Sequence, residues 1–371
     1  MRVILHIGMH KTGSTSLQKQ LVNVNARLNK LDWNYLYNNP VGNSSVLVDI
    51  EYKDKSIFYV VNNKIEELLS EAKSAVNILS GEHFFAISDG REVQRLHHIL
   101  SQKFNEIEVV VYLRRQDKVA LSFKQQATKG NRKDVFLSSM LCGHSSAALP
   151  ELIPNLKTYL SYSQKLEMWA KVFGAKNIKV LDFDNLYEKD ICADFSRAVN
   201  MPFKLKSLRS NEGVSRLASL VLHRLLERGS SSRLIAKIRG GFKEYRGDKV
   251  LPKRSEAKAF YDAFSVENER LLEYGVAFAQ DFSYYPEENQ YEFELGDIEN
   301  ILEVISSIDV DNKVDNNDID VLRDLALSYE ASSNIKMAYK LMLIVQKLRP
   351  RGPLIKKKVA EYEEKLGIQA K

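Results

Sequence analysis

The stretch Val3-Ile4-Leu5-His6-Ile7-Gly8-Met9-His10-Lys11-Thr12-Gly13-Ser14-Thr15-Ser16-Leu17 decides how the chain is read. Val3 to Ile7 is a short, nearly continuous apolar run, the pattern of a strand buried on both faces of a parallel sheet. Leu17, Leu21, Val24 and Leu28 then recur at helical spacing, so a helix is expected to begin near Ser14. Between them, Gly8 and Gly13 allow a tight turn, and Ser14, Thr15 and Ser16 add hydroxyl donors. A helix start presents unpaired backbone N–H groups and a partial positive charge. Strand, loop and helix in that order make an oxyanion cradle.

Working outward, short apolar runs alternate with helical patterns. Strands are expected at Val76-Asn77-Ile78-Leu79, at Ile107 to Leu113 and at Ile178 to Phe183. Helices are expected over Glu92–Gln102, Gln116–Thr128 and Cys192–Val199, and from Ser255 to about Phe278. Residues 129–157 read as an excursion over the sheet. Residues 228–258 read as a basic, loop-rich segment, with ten Lys or Arg against three acids. Alternation of this kind implies an α/β fold, here a P-loop-type central parallel sheet flanked by helices over residues 1–290. A C-terminal all-α extension is expected over 291–371. Its Leu322, Leu325, Ala326, Tyr329, Ala338 and Pro350 stand at the offsets of one tetratricopeptide-like helical pair.

The chain has 371 residues, a net charge of +6, 44% hydrophobic and 27% charged residues. This excludes fibrous and disordered classes, and the mild positive excess suits anionic ligands without reaching a nucleic-acid footprint. Two cysteines, Cys142 and Cys192, fit a reducing compartment, and no window reads as a spanning helix, so a cytoplasmic location is expected. The histidines lack partners at metal-ligand spacing, so no metal is expected.

The first loop is not a Walker A motif, which needs Lys directly after the second glycine. Here Ser14 follows Gly13, and Lys11 precedes it by two residues. A second anion site is read at the end of the third strand, where Arg114-Arg115-Gln116-Asp117 is followed by Ser122. An arginine fork with a nearby hydroxyl suits a phosphate monoester. The second strand ends in Ser80-Gly81-Glu82-His83, and ligands of open parallel sheets lie beyond strand carboxyl ends. Lys11, Glu82 and Arg114 all fall there. Glu82 is the favoured general base, with His83 as its rival.

Lys11-Thr12-Gly13-Ser14-Thr15-Ser16 resembles the 5′-phosphosulfate-binding loop of sulfotransferases that use 3′-phosphoadenosine-5′-phosphosulfate (PAPS), usually Lys-(Thr/Ser)-Gly-Thr-Thr. The stretch from His6 to Gln18 is similar to the opening of bacterial members acting on carbohydrates. Arg114 and Ser122 resemble the family's 3′-phosphate motif. Gln116 departs from the cytosolic form, which has proline there. Leu208 to Gly213 and the region of Phe264 to Leu272 also resemble later parts of the bacterial enzymes. The resemblance covers residues 1–285 and implies PAPS as donor, with adenosine 3′,5′-bisphosphate as product. It implies cofactor contacts from His10, Lys11, Thr12, Gly13, Ser14, Thr15, Ser16, Arg114 and Ser122, and catalysis by Lys11 with Glu82 or His83. The expected acceptor is a hydroxyl on a glycan or glycoconjugate, and no nucleic acid is expected as partner. Anionic lipid head groups remain open for the basic segment, and a protein partner for the C-terminal helices. Two other classes stay in view: a P-loop nucleotide kinase and a non-catalytic nucleotide-binding adaptor.

Overall fold

The computed structural model describes residues 1–54, 56–129, 136–145, 147–207, 214–242, 248–288, 316–331 and 333–368. The 290/291 boundary and the stretch from Leu208 to Gly213 lie outside them. The described chain divides into two compact units, one of residues 1–119, 152–212 and 255–282, the other of 120–151, 213–254 and 283–371.

The first unit is built on five parallel strands, β1 (Arg2–His6), β2 (Trp33–Leu36), β5 (Val76–Ser80), β6 (Glu106–Leu113) and β7 (Ile178–Asp182). Their spatial order is β2-β5-β1-β6-β7. A separate antiparallel hairpin pairs β3 (Val48–Lys53) with β4 (Ser56–Val61). Four of the parallel strands match the sequence reading. β2 and the hairpin do not appear in it, because a four-residue run of Trp33-Asn34-Tyr35-Leu36 carries too little periodicity to stand out.

Ile4, Ile78, Val110 and Tyr112 project from one sheet face into a core with Leu17, Leu21 and Leu28 of α1 (Ser14–Asn29) and Phe195 of α9 (Ile191–Ala198). The other face carries α4 (Gly90–Ser101) and α8 (Tyr162–Phe173), both packed on β6. Burying each of these Leu, Ile or Phe side chains contributes about 1.5–3 kcal/mol. Helices on both faces explain why the strands are apolar at nearly every position. Smaller helices of this unit are α2 (Lys64–Ser70), α3 (His83–Ala86) and α7 (Pro154–Leu160).

The long helix expected from Ser255 to Phe278 is broken. It is α12 (Arg254–Asp262), then α13 (Ser265–Arg270) and a 3₁₀ turn that ends at Gly275. Phe264, buried at the junction, leaves helical geometry at φ −115° and ψ 15°. Gly275 takes φ 76°, the left-handed stop that glycine adopts without a Cβ penalty.

The second unit is helical: α6 (Phe136–Cys142), α10 (Arg216–Glu227), α11 (Ser232–Gly241), α14 (Asn316–Ala331), α15 (Ile335–Leu348) and α16 (Pro353–Leu366). The helix α5 (Gln116–Ala127) runs from the first unit's residues into the second's. The excursion and the basic segment are thus more helical than expected, through α6 and α11. Leu222, Leu225, Ile235 and Ile238 of α10 and α11 share one core with Leu322, Ala326, Ala338, Leu341, Met342 and Tyr362. Of the tetratricopeptide-like positions, Leu322, Ala326 and Ala338 are buried there. Among the described residues no helix is long and apolar enough to cross a membrane.

Candidate functional site

β5, β1 and β6 are neighbours, and all three run the same way, so their carboxyl ends lie side by side. The chain reverses its direction of progress across the sheet at β1, which is where open α/β sheets form ligand crevices.

After β1 the Ile7 N–H still donates to Val110 O at 3.0 Å. The loop then bends through Gly8 at φ 51° and Lys11 at φ 70°, before Gly13 at φ 77° caps α1. A Cβ on Gly8 would come within 3.3 Å of the Glu82 backbone and 3.4 Å of Ser14 Oγ. Glycine is therefore what lets the loop and the β5 corner approach. Lys11 is a non-glycine residue in left-handed geometry, a strain of about 1 kcal/mol or more that surrounding contacts must hold. One of them is Thr12 Oγ1, which donates to Met9 O at 2.6 Å. Gly13 has no side chain to cap the first turn of α1, whose positive end opens on the loop.

Below the loop a buried network ties β1 to β5. Ser80 Oγ accepts from Gln18 Nε2 at 3.1 Å and lies 2.8 Å from His6 Nδ1. The Tyr35 hydroxyl, close by, donates to Gly42 O.

Past β5, Gly81 N donates to His6 O at 3.1 Å. The Glu82 and His83 N–H groups, at 2.9 and 3.3 Å, both donate to Ser45 Oγ. The Glu82 carboxyl lies near Lys11 and the side chains of Ser14 and Asn43. Ser14 Oγ donates to Met9 O at 3.4 Å. Burial pushes the Glu82 carboxyl up, and the neighbouring His83, Lys11, Ser14 and Asn43 pull it only part of the way back. His83 Nδ1 lies 3.1 Å from Ser45 O and 3.4 Å from Val48 O. Burial brings His83 down to about 4. Burial, with Lys11 adding to it, brings His10 down to about 3. Both imidazoles are neutral at pH 7. Their rings are 5.5 Å apart, and His10 Nδ1 meets the Tyr159 hydroxyl at 2.7 Å.

The arginine pair after β6 splits into two roles. Arg114 donates to Lys11 O at 3.3 Å and to Asp184 at 3.3 Å, with its guanidinium 5.3 Å from the Phe183 ring centroid. Lys118, one turn into α5, holds the other Asp184 oxygen at 3.0 Å. Two cations against one carboxylate leave a net positive charge beside the loop. Arg115 instead is buried, paired with Asp117 at 2.8 Å and bonded to Ala279 O and Asp281 O at 2.7 Å. It tethers the segment after α13 and is structural. Ser122 stands half-buried on α5 and belongs to the second unit.

His10, Lys11, Thr12, Gly13, Ser14, Glu82, His83 and Arg114 are thus brought together, with Thr15 and Ser16 in the first turn of α1. Asn43, Ser45, Tyr159, Lys118 and Asp184 were not foreseen. Asp184 follows β7, so the strand-end rule that marked Glu82 would have found it. Asn43, Ser45 and Tyr159 lie far from any motif and only the fold brings them in. Another is Lys165 on α8, whose buried ammonium has Ala86 O at 3.4 Å and is brought by burial down to about 8. Among the described residues no group of three or more His, Cys, Asp or Glu side chains is arranged to hold a metal ion.

No protein-family model matches the chain, and no curated protein does. Among solved structures, the chain is similar to one titled as a sulfotransferase from Alicyclobacillus acidocaldarius, at 12% identity and a TM-score of 0.37, covering 76% of this chain and 98% of that one.

Proposed function

We propose that the protein is a sulfotransferase that moves a sulfuryl group from PAPS to a hydroxyl acceptor, a carbohydrate or glycoconjugate. The observation that carries this reading is the corner where Lys11, the start of α1 and Glu82 meet, with Arg114, just past the adjoining strand, bonded to the loop. It joins a cradle for one phosphate, a cation beside it, a second cationic site and a carboxylate of raised proton affinity.

The cradle fits a phosphosulfate. The positive end of α1 and the Ser14–Ser16 hydroxyls would receive the 5′-phosphate. Arg114, with Lys118, would receive the 3′-phosphate. Sulfuryl transfer in line forms a bond from the acceptor oxygen to sulfur as the bond from sulfur to the 5′-phosphate oxygen breaks. Lys11 stabilises the charge gathering on that departing oxygen. Glu82 takes the acceptor's proton, a role that its raised pKa suits. His83 is the rival base, because only its Nδ1 is tied to the backbone. No step requires a metal.

Adenosine 3′,5′-bisphosphate should raise the melting temperature in buffer without Mg²⁺, by linkage. Labelled sulfate should then pass from PAPS to at least one member of a glycan panel. Stabilisation only by ATP with Mg²⁺, together with ATP hydrolysis and no response to PAPS, would sink the reading in favour of a kinase.

A further inference from the structure

The β3–β4 hairpin stands apart from the parallel sheet, and its register sorts its side chains onto two faces. Val48 pairs with Val61, Ile50 with Tyr59 and Tyr52 with Ile57, so these six share one face. Asp49, Glu51 and Lys53, with Ser56, Phe58 and Val60, make up the other. The first face is wholly uncharged, and the second carries the ion pair of Lys53 with Glu51.

An isolated two-stranded hairpin is marginal in water, so neighbours must hold this one. It is held at its base. Val61 N donates to Glu92 Oε2 at 2.8 Å and Val61 O accepts from Arg95 at 2.6 Å, both partners lying on α4. Asn62 N donates to Leu47 O at 2.9 Å. Beyond that base the uncharged face leads outward from the candidate site. The ring of buried Tyr59 is 6.2 Å from that of His83, and Val48 O faces His83 Nδ1 at 3.4 Å. Tyr59 is therefore where the face meets the corner. Two residues further along, about 7 Å at the rise of a strand, Ile57 is half-buried and Tyr52 is 55% exposed. Exposure grows along one continuous apolar face that starts at His83.

The flat of a tyrosine ring is electron-rich and attracts polarised C–H bonds laid across it. One face of a pyranose ring is lined with such bonds, while its hydroxyls stand around the edge. Stacked on Tyr52, a sugar would cover the ring and keep its hydroxyls in water. A wholly apolar alcohol would need an enclosed pocket, which an open hairpin face does not supply. A uronate or sulfated sugar would need a cation, and this face carries none.

We infer that the face of Ile50, Tyr52, Ile57 and Tyr59 is the acceptor subsite, with Tyr52 as its stacking ring, and that the acceptor is a neutral saccharide with a sugar unit beyond the one sulfated. The identity of the ligand as acceptor rests on the sulfotransferase reading, whereas the face rests on the strand register. Phe58 supplies an internal comparison, being 42% exposed on the same hairpin but on the opposite face. Both aromatic residues are exposed, so neither substitution threatens folding.

The test uses the full chain with neutral tetrasaccharides of glucose, galactose and N-acetylglucosamine, beside a tetragalacturonate and 4-nitrophenol. Binding is read without donor by calorimetry and saturation-transfer nuclear magnetic resonance, and transfer is read with PAPS. At least one neutral tetrasaccharide should bind, and Tyr52→Ala should weaken it by about 3- to 10-fold, the worth of one ring stack. In transfer the loss should appear in KM with kcat near wild type, because Tyr52 lies away from the transferring atoms. Tyr52→Phe, which keeps the ring, should bind as the wild type does, and so should Phe58→Ala. Equal losses in Tyr52→Ala and Phe58→Ala would overturn the inference, as would an unchanged affinity in Tyr52→Ala. A preference for tetragalacturonate or 4-nitrophenol, or a wild type that binds no neutral tetrasaccharide, overturns it too. A wild type that binds one through Tyr52 yet transfers no sulfate would instead sink the functional reading and leave the saccharide site standing. Sulfate transfer to a glycan, unaffected by Tyr52→Ala, would do the reverse.

Discussion

At the carboxyl edge of the parallel sheet, the polar groups are crowded, partly buried and held away from their solution behaviour. Lys11 sits in left-handed geometry, Glu82 is pushed up, and His6, His10 and His83 are all held neutral by burial. The helical unit is built the other way. Its core of Leu222, Leu322, Leu341, Met342 and their neighbours is apolar, and its ion pairs, such as Lys358–Glu330 at 2.9 Å, stay outside it. The difference separates two uses of burial. In the helical unit burial supplies stability; at the sheet edge it shifts proton affinities, because low dielectric makes each charge and hydrogen bond count for more.

Among its described residues the helical unit also buries polar groups, His223 and Lys124 among them. His223 is buried on α10, and neither of its ring nitrogens makes a hydrogen bond of normal geometry, although the Lys124 backbone lies nearby. His144 is 5.7 Å away, ring to ring, and Lys124 is held by Cys142 O, Gly143 O and Ser145 Oγ.

The contrast can be broken most sharply at Glu82. Glu82→Gln is nearly isosteric and should lower turnover by about 10²–10⁴-fold, with the affinity for adenosine 3′,5′-bisphosphate close to wild type. Steady-state kinetics and calorimetry would check both halves. Near-full activity, alongside a dead His83→Ala, would move the base by one residue.

In the helical unit the expected loss is of stability. Leu341→Ala removes a side chain that is 2% exposed and should cost about 2–5 kcal/mol in denaturant unfolding. Nucleotide affinity of the folded fraction should not change. A variant that keeps its stability but loses affinity would erase the division of labour.

Arg114→Ala should weaken adenosine 3′,5′-bisphosphate by about 10- to 150-fold, the worth of a charge-assisted pair of about 1.5–3 kcal/mol. Lys118→Ala should weaken it less, since Lys118 lies one turn further along. Arg115→Ala is the control: it should cost stability, because it strands Asp117 and two carbonyls. An unchanged affinity in folded Arg114→Ala would take Arg114 out of the site.

The smallest effect at neutral pH is expected from His223→Leu, which removes two unbonded nitrogens and should be close to neutral in stability at pH ~7.5. On acidification the two proteins should diverge. Burial brings His223 down to about 3, so between pH 6.5 and 3 the unfolded chain binds a proton that the native state refuses. Native stability therefore falls as pH falls through that window. Thermal melts from pH 7.5 to 4 should show a shallower decline in the variant; equal slopes would show that His223 is not part of the acid response.

Much of the sheet was legible because each of β1, β5, β6 and β7 is an apolar run followed by a loop or helix signal. β2 was not, since four residues give no firm period; the β3–β4 hairpin went unread although Val48, Ile50 and Tyr52 alternate with Asp49, Glu51 and Lys53. The break in the expected helix from Ser255 onward was equally hidden, since Phe264 is a helix-compatible residue whose burial turns the chain.

By itself the sequence determined the cradle. Glycines at 8 and 13, a lysine and three hydroxyl residues between a strand and a helix leave little choice about what the backbone presents. It also marked Glu82 and Arg114, because strand ends in a parallel sheet converge whatever the intervening chain does. The tertiary structure alone decided that Arg115 is a tether while Arg114 faces the loop, since adjacent residues after a strand point apart. It also brought Asn43, Ser45, Tyr159 and Asp184 onto the site. Each reaches it through a contact of more than thirty residues' separation, and hydrogen bonds of that range are made by the packed sheet and leave no pattern in the local sequence.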